Sequence, residues 1–522
     1  MFGMMQATSE VTDNSKLSFM LKTIVECAVN NAGKRPQAFR YDQIPYLKDV
    51  AALFFILAGP LVYDIMAKNM SFPAICTIQK FINCNADPVV ECVLSIPELV
   101  SFLDKRNLPR EIIVSIDATA VSQRVQYDPK TNQVCGLKPA LNSCGLPVAL
   151  SFPAVSAAKI KEFIDNNSVS TVAFVIMARP HAANAPAFCL SLYGSDNKFS
   201  TSQVDSSLQY LAKACAEKGI LIKGFSTDGD PRYLKTMLMR SLSNNPNHDK
   251  WPWFGMICPT PSNFYVQDTI HLMVKLKSKL LKPSAVLSFG PPYIISRGHI
   301  VDLIQRVSKD SHELILACVN PRDKMNFRAA EKLCSEKVCE LLRSVLGCEA
   351  TTTFLEMTRE VKEAYLKGTL TPIERIELFW KWVFVLRMWR KWILDTPGYT
   401  LGNNFVTSNA YSCIELNGHA LISMCRHFRD LGKPELFRPA YFTSQDSEDF
   451  FRSLRSMSTI KSAETTFSIL EMKHKVRRLD YLSELYTKLD GKVVFPRAKK
   501  LFLKVPASVC KFSLMMLNWN VQ

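Results

Sequence analysis

The sequence predicts a mixed α/β fold: a mixed sheet flanked by helices, interrupted by a large all-helical insertion and preceded by a helical N-terminal region. Three observations predict it. The apolar, β-branched runs EIIVSIDATAV, STVAFVIMAR and ILIKGFSTDGD all fall within residues 109–284, and short runs of that kind read as strands buried on both faces. On either side of them the apolar spacing becomes helical. The chain of 522 residues is too long for one ordinary core, so it divides into several units. The divisions are 1–108, helical; 109–284, the first part of the sheet unit; 285–440, the helical insertion; 441–480, the return to the sheet unit; and 481–522, a basic tail.

Taken in order, SKLSFMLKTIVECAVNNAG, YLKDVAALFFILAGPLVYDIMAKN, PAICTIQKFINC and SIPELVSFLDKR read as helices separated by proline breaks. In the last, Ser95 with Glu98 three residues on suits a capped helix start. VQYDPKTNQVCGL reads as two short strands around a DPKTN turn. VDSSLQYLAKACAEKG reads as an amphipathic helix closed by Gly219, followed at once by a strand. Strand, hairpin, strand, helix, strand is the order of an RNase H-like sheet. In the insertion, Thr371, Pro372 and Glu374 form a capped start for TPIERIELFWKWVFVLRMWRKWIL.

Apolar content of 48% and charged content of 21% describe a folded chain. The net charge of +17 favours a polyanionic partner such as DNA or RNA, because basic groups gain by displacing condensed counterions. The sixteen cysteines are scattered with no CxxC, and read as buried free thiols of a reducing compartment rather than zinc ligands. The start carries no signal-peptide core, and the strongest apolar run, Val50 to Tyr63, is too short to span a bilayer. No membrane association is expected.

Three acids stand out. Asp117 and Asp228 close β-type runs, and Glu448 opens the helical stretch that holds Phe450, Phe451 and Leu454. Two carboxylates at strand ends and a third on a helix packed over the sheet are what a pair of Mg²⁺ or Mn²⁺ ions needs for phosphodiester cleavage. Each acid alone reads more simply as a turn or capping residue; the ordered set favours a metal site. Asp268 opens a helix on which His271, Lys275, Lys279 and Lys282 share one face, a stripe suited to tracking a DNA backbone, with helix capping as the plainer reading. Trp380, Trp382, Trp389 and Trp392 alternate with Lys381, Arg387, Arg390 and Lys391; core packing is favoured over stacking on bases. Glu415 and His419 stand one helical turn apart, either as a ligand pair or as a buried polar pair ordering the insertion.

SIDATAVSQRVQYDPKTNQVCGL, KGFSTDGDPRYL, VQDTIHLMVKLKSKLL and TSQDSEDFFRSLRSM together resemble the P-element/THAP-type DNA transposases and their domesticated descendants, over about residues 40–480. The resemblance implies that Asp117, Asp228 and Glu448 are a DDE triad, with Asp268 and His271 as the family's D-x-x-H element. It further implies DNA as partner, a nuclear location, a homo-oligomer, and front helices that serve as a helix-turn-helix and dimerisation region. In the P-element branch the insertion binds GTP, but the insertion here has no Gly-rich phosphate loop. Two departures stand: no Cys/His set matches the N-terminal zinc finger, and Asp230 competes with Asp228 as the second acid. The leading expectation is a metal-dependent DNA transposase-like nuclease and strand transferase. The alternatives are a catalytically silent DNA- or chromatin-binding protein and a nuclease acting on RNA or hybrids.

Overall fold

The computed structural model describes residues 15–493 except 35–40, 42, 45, 71, 86–88, 151, 153, 184, 243–262, 321 and 458–465. The front end is helical: α1 (Ser15–Asn31), α2 (Leu47–Asn69), α3 (Ile75–Asn85) and α4 (Ile96–Lys105). Ser95 does not cap α4 with its side chain. Its backbone N–H is committed to Leu190 O at 2.9 Å, which pins this junction to the sheet. Among the described residues α2 alone is long and apolar enough to cross a membrane, so the 14-residue run understated it. Half of that apolar window is buried, and Gly59 (φ 80°, ψ 169°) breaks the helical geometry before Pro60.

Five strands form the central sheet: β1 (Glu111–Ala120), β4 (Val172–Pro180), β5 (Phe188–Ser195), β6 (Leu221–Thr227) and β7 (Phe264–Gln267). Between β1 and β4 lie the hairpin of β2 (Gln126–Asp128) and β3 (Gln133–Cys135), then helix α5 (Ala157–Asp165). The order is β5-β4-β1-β6-β7; β1 pairs antiparallel with β4 and parallel with β6, and β6 pairs parallel with β7. Helices α6 (Thr201–Ala216) and α7 (Pro231–Leu242) make the crossovers from β5 to β6 and from β6 to β7, and α8 (Thr269–Leu281) leads from β7 into the insertion. Ile112 to Ile116 are all buried, as a central strand covered on both faces requires. At Gly224 a Cβ would sit 2.5 Å from Phe264 O, so β6 and β7 approach as they do only because no side chain intervenes.

The insertion holds a two-stranded ribbon, β8 (Leu287–Ser288) with β9 (Ile294–Ile295), then α9 (Arg297–Arg306), α10 (Lys309–His312), α11 (Phe327–Leu333), α12 (Glu336–Arg343), α13 (Glu349–Leu366), α14 (Pro372–Asp395), α15 (Leu401–Asn404) and α16 (Ser408–Asp430). The aromatic helix α14 starts on the expected Thr371–Glu374 capping box. Its indoles face inward: Trp389 donates to Ser288 O at 2.7 Å, Trp380 to Gly418 O at 3.0 Å, and Trp382 to Glu360 at 2.8 Å. On α16, Asn417 exchanges two hydrogen bonds with the Gln267 backbone (2.8 and 2.7 Å) and so closes the β7 edge of the sheet. Sheet and insertion share one apolar core.

The chain returns as α17 (Gln445–Ser456) and α18 (Ile469–Lys488). The tail drawn from residue 481 therefore begins later, because Tyr481, Leu482, Leu485, Leu489 and Val493 pack into the core of the front helices. Residues 494–522 lie outside the described set. The fourteen described cysteines are all free; most are buried, while Cys76 and Cys84 are exposed.

A candidate carboxylate site at the sheet edge

Asp117 lies two-thirds along β1, where the strand leaves its fully buried stretch. Its Oδ1 accepts the Ala118 N–H at 2.7 Å. Parallel pairing matches Ile116 with Thr227, so Asp228, the next residue after β6, emerges beside Asp117 at the same sheet edge. Gly229 follows with φ +88°, a conformation that favours glycine, and an added Cβ would meet Lys275 Nζ at 2.0 Å.

Helix α17 supplies the third acid. Ser447 Oγ lies 3.0 Å from Ser115 Oγ, and Arg455 Nη2 donates to Thr119 Oγ1 at 2.7 Å. Ser115, Asp117 and Thr119 alternate along β1 and share a face. Four strand residues and eight helical residues each span about 12–13 Å, so α17 runs alongside β1 in the same direction. Glu448, next to Ser447, is thereby delivered to the edge that holds Asp117.

The electrostatics record this convergence. The Asp117 carboxyl is pushed up to about 7, first by burial and then by the charge of Asp228, with Glu448 adding in the same sense. His271, on the first turn of α8, approaches Glu448 Oε1 at 2.5 Å, off the line of a linear hydrogen bond. Burial opposes its charged form, but Glu448, Asp268 and Asp228 outweigh burial and raise the imidazole to about 9. Hard carboxylate oxygens are the donor type Mg²⁺ takes. As placed, however, no group of three His, Cys, Asp or Glu among the described residues is drawn tightly enough to hold an ion. Glu448 is turned to His271, and chelation requires it to exchange that partner.

The two neighbouring aspartates are assigned elsewhere. Asp230 is held by Arg232 through Nε (3.0 Å) and Nη2 (2.5 Å), which leaves Asp228 as the acid facing Asp117. Asp268 caps α8 through Ile270 N–H (2.7 Å), while its other oxygen accepts Thr443 Oγ1 (2.6 Å), Ser444 N–H (2.8 Å) and Ser444 Oγ (2.7 Å). One buried carboxylate thus fixes the start of the helix that carries Glu448.

The basic stripe needs correcting. Asp268 is only 2% exposed, which removes it from contact with a nucleic acid. Lys275 Nζ donates to Asp228 O (3.0 Å), Gly229 O (3.1 Å) and Asn409 Oδ1 (2.9 Å), and buried Lys279 donates to Gly402 O (2.8 Å). Of the stripe, Lys282 alone is exposed. The carbonyls that these lysines satisfy come from remote turns, so helical spacing cannot reveal them. Glu415 and His419 lie buried in the insertion, with Glu415 held by both Arg387 nitrogens (2.8 and 2.7 Å) and by Tyr411 (2.8 Å). Asn409, Ser115 and Ser447, which brace the acids, carried no signal in the sequence, and Lys275 carried one for a different role.

Among solved structures, the chain is similar to one in the Drosophila P element transposase strand transfer complex, with a TM-score of 0.60 over 92% of this chain and 98% of that one. Identity is 12%, so the likeness is one of fold. No protein-family model matches, and no curated protein matches. The class that architecture defines is a transposase-like mixed α/β fold with a helical insertion.

Proposed function

We propose that this protein is a DDE-type, divalent-metal-dependent DNA nuclease and strand transferase, with Asp117, Asp228 and Glu448 as its acids. The observation that carries this reading is the meeting of Asp117 on β1, Asp228 just after β6 and Glu448 on α17 at one sheet edge, where the other two raise the cost of ionising Asp117. The transposase-like fold and the charge of +17 support DNA as substrate. The three acids would hold Mg²⁺ or Mn²⁺, and the chemistry such ions supply is an activated attacking oxygen and a stabilised leaving oxygen. The chain's own part is positioning. Lys275 and Asn409 fix the Asp228 turn, Asp268 fixes the start of α17, and His271 neutralises Glu448 and relinquishes it when a cation competes.

A second reading, a catalytically silent DNA-binding protein on this scaffold, is favoured by the His271–Glu448 contact, which satisfies the third acid without an ion. Supercoiled-plasmid nicking in MnCl₂ or MgCl₂ separates the two. The enzyme reading expects nicking that EDTA abolishes and that Asp117→Asn lowers at least a hundredfold. DNA retention with no metal-dependent nicking selects the silent binder.

A further inference from the structure

Glu448 and Arg455 are seven residues apart on α17, two turns that bring them to within about 20° of the same flank and about 10 Å along the axis. The opposite flank carries Asp446, which is paired with Arg179 at 2.9 Å. Arg455 differs from the other arginine on its flank, since Arg452 is paired with Asp449 at 2.7 Å. Among the described residues Arg455 has no carboxylate partner. Its Nη2 leans on the Thr119 hydroxyl, and its guanidinium lies 6.0 Å from the Phe451 ring centroid, while the side chain stays exposed. A neutral hydroxyl orients the cation without discharging it. Thr119 in turn lies two residues beyond Asp117 on the same strand face.

The acids repel a phosphodiester backbone, so a strand brought to them needs a cation close by. We propose that the exposed Arg455, held in place by the buried Thr119 hydroxyl, forms a phosphate-binding subsite that grips one DNA strand beside the carboxylates. The forked guanidinium takes the non-bridging oxygens of a phosphate two or three nucleotides from the one being cut. Axial phosphate spacing of about 3.4 Å per strand sets that count against the 10 Å separation. The inference rests on the nuclease reading and adds a positioning residue to it. A merely structural staple between α17 and β1 is the competing role.

The test is anisotropy of a labelled 30-base-pair duplex in EDTA across 50–300 mM KCl, with full-length protein and melting temperatures measured in parallel. Arg455→Gln is expected to weaken binding on the order of fivefold at 100 mM KCl and to lower the slope of log Kd against log salt by about 0.9, for any duplex sequence. Arg455→Lys keeps the slope. A wild-type slope and affinity in folded Arg455→Gln overturns the subsite and leaves the nuclease reading standing. Absence of salt-dependent DNA binding by the wild type overturns both. Should Arg455→Gln not fold, Thr119→Val decides: about threefold weaker binding at unchanged slope supports the subsite, and identical binding rejects it.

Discussion

The sheet edge and the interior of the insertion both gather acids, and they treat them in opposite ways. In the insertion, Glu415 is 4% exposed and answered by Arg387 and Tyr411. At the edge, Asp117 and Asp228 face each other, and burial and mutual repulsion lift Asp117 to about 7. A satisfied buried charge orders helices, whereas an unsatisfied one is a standing demand for a cation. The two settings differ in how their acids are answered and not in residue type.

The largest effect expected is in the insertion. Arg387→Ala leaves Glu415 buried without its cation and should cost roughly 3–5 kcal/mol, read from chemical denaturation. A cost below 1 kcal/mol would break the comparison.

Acid should reach the buried imidazoles next. His419 (3% exposed) is lowered to about 4 by burial and then by the Arg387 charge, and His181 (2% exposed) to about 4, chiefly by burial. Both fold neutral. Their contribution is therefore fully present above about pH 6.5 and is lost as pH falls toward 4, by roughly 3 kcal/mol for each at the acid end. Denaturation midpoints of His181→Phe should fall less steeply between pH 6.5 and 4 than those of the wild type.

At the edge the two expected effects have opposite signs. Gly229→Ala strains a φ of +88° and displaces Lys275, so it should cost roughly 1–3 kcal/mol and lower any nicking, while an unchanged melting temperature would remove Lys275 as a brace. Asp117→Asn should raise stability by about 1–2 kcal/mol near pH 8 while abolishing cleavage, the usual trade at a strained site. The smallest effect, below about 0.5 kcal/mol, is expected for Asp395→Ala, which breaks only the exposed i,i+4 pair with Lys391.

Much of this was legible in advance because strand ends are local signals. Ile112 to Ile116 and the run before Asp228 announce central strands, and the acids that close them follow. β5 escaped because Ser191, Tyr193 and Gly194 interrupt its apolar pattern, and β7 because four residues give no period. The lysines of α8 misled for the opposite reason. Their spacing is helical, but turns far along the chain turn two of them inward. The Ser115–Ser447 contact joins positions 332 apart, a relation that no window of sequence contains.

That last contact bears on how the protein is made. Strands β1 and β6 emerge from a ribosome hundreds of codons before α17, and Asp268 must wait through the whole insertion for Thr443 and Ser444. During synthesis the nascent chain therefore carries two acids and no third. Whatever cutting power the molecule has is withheld until α17 has been made.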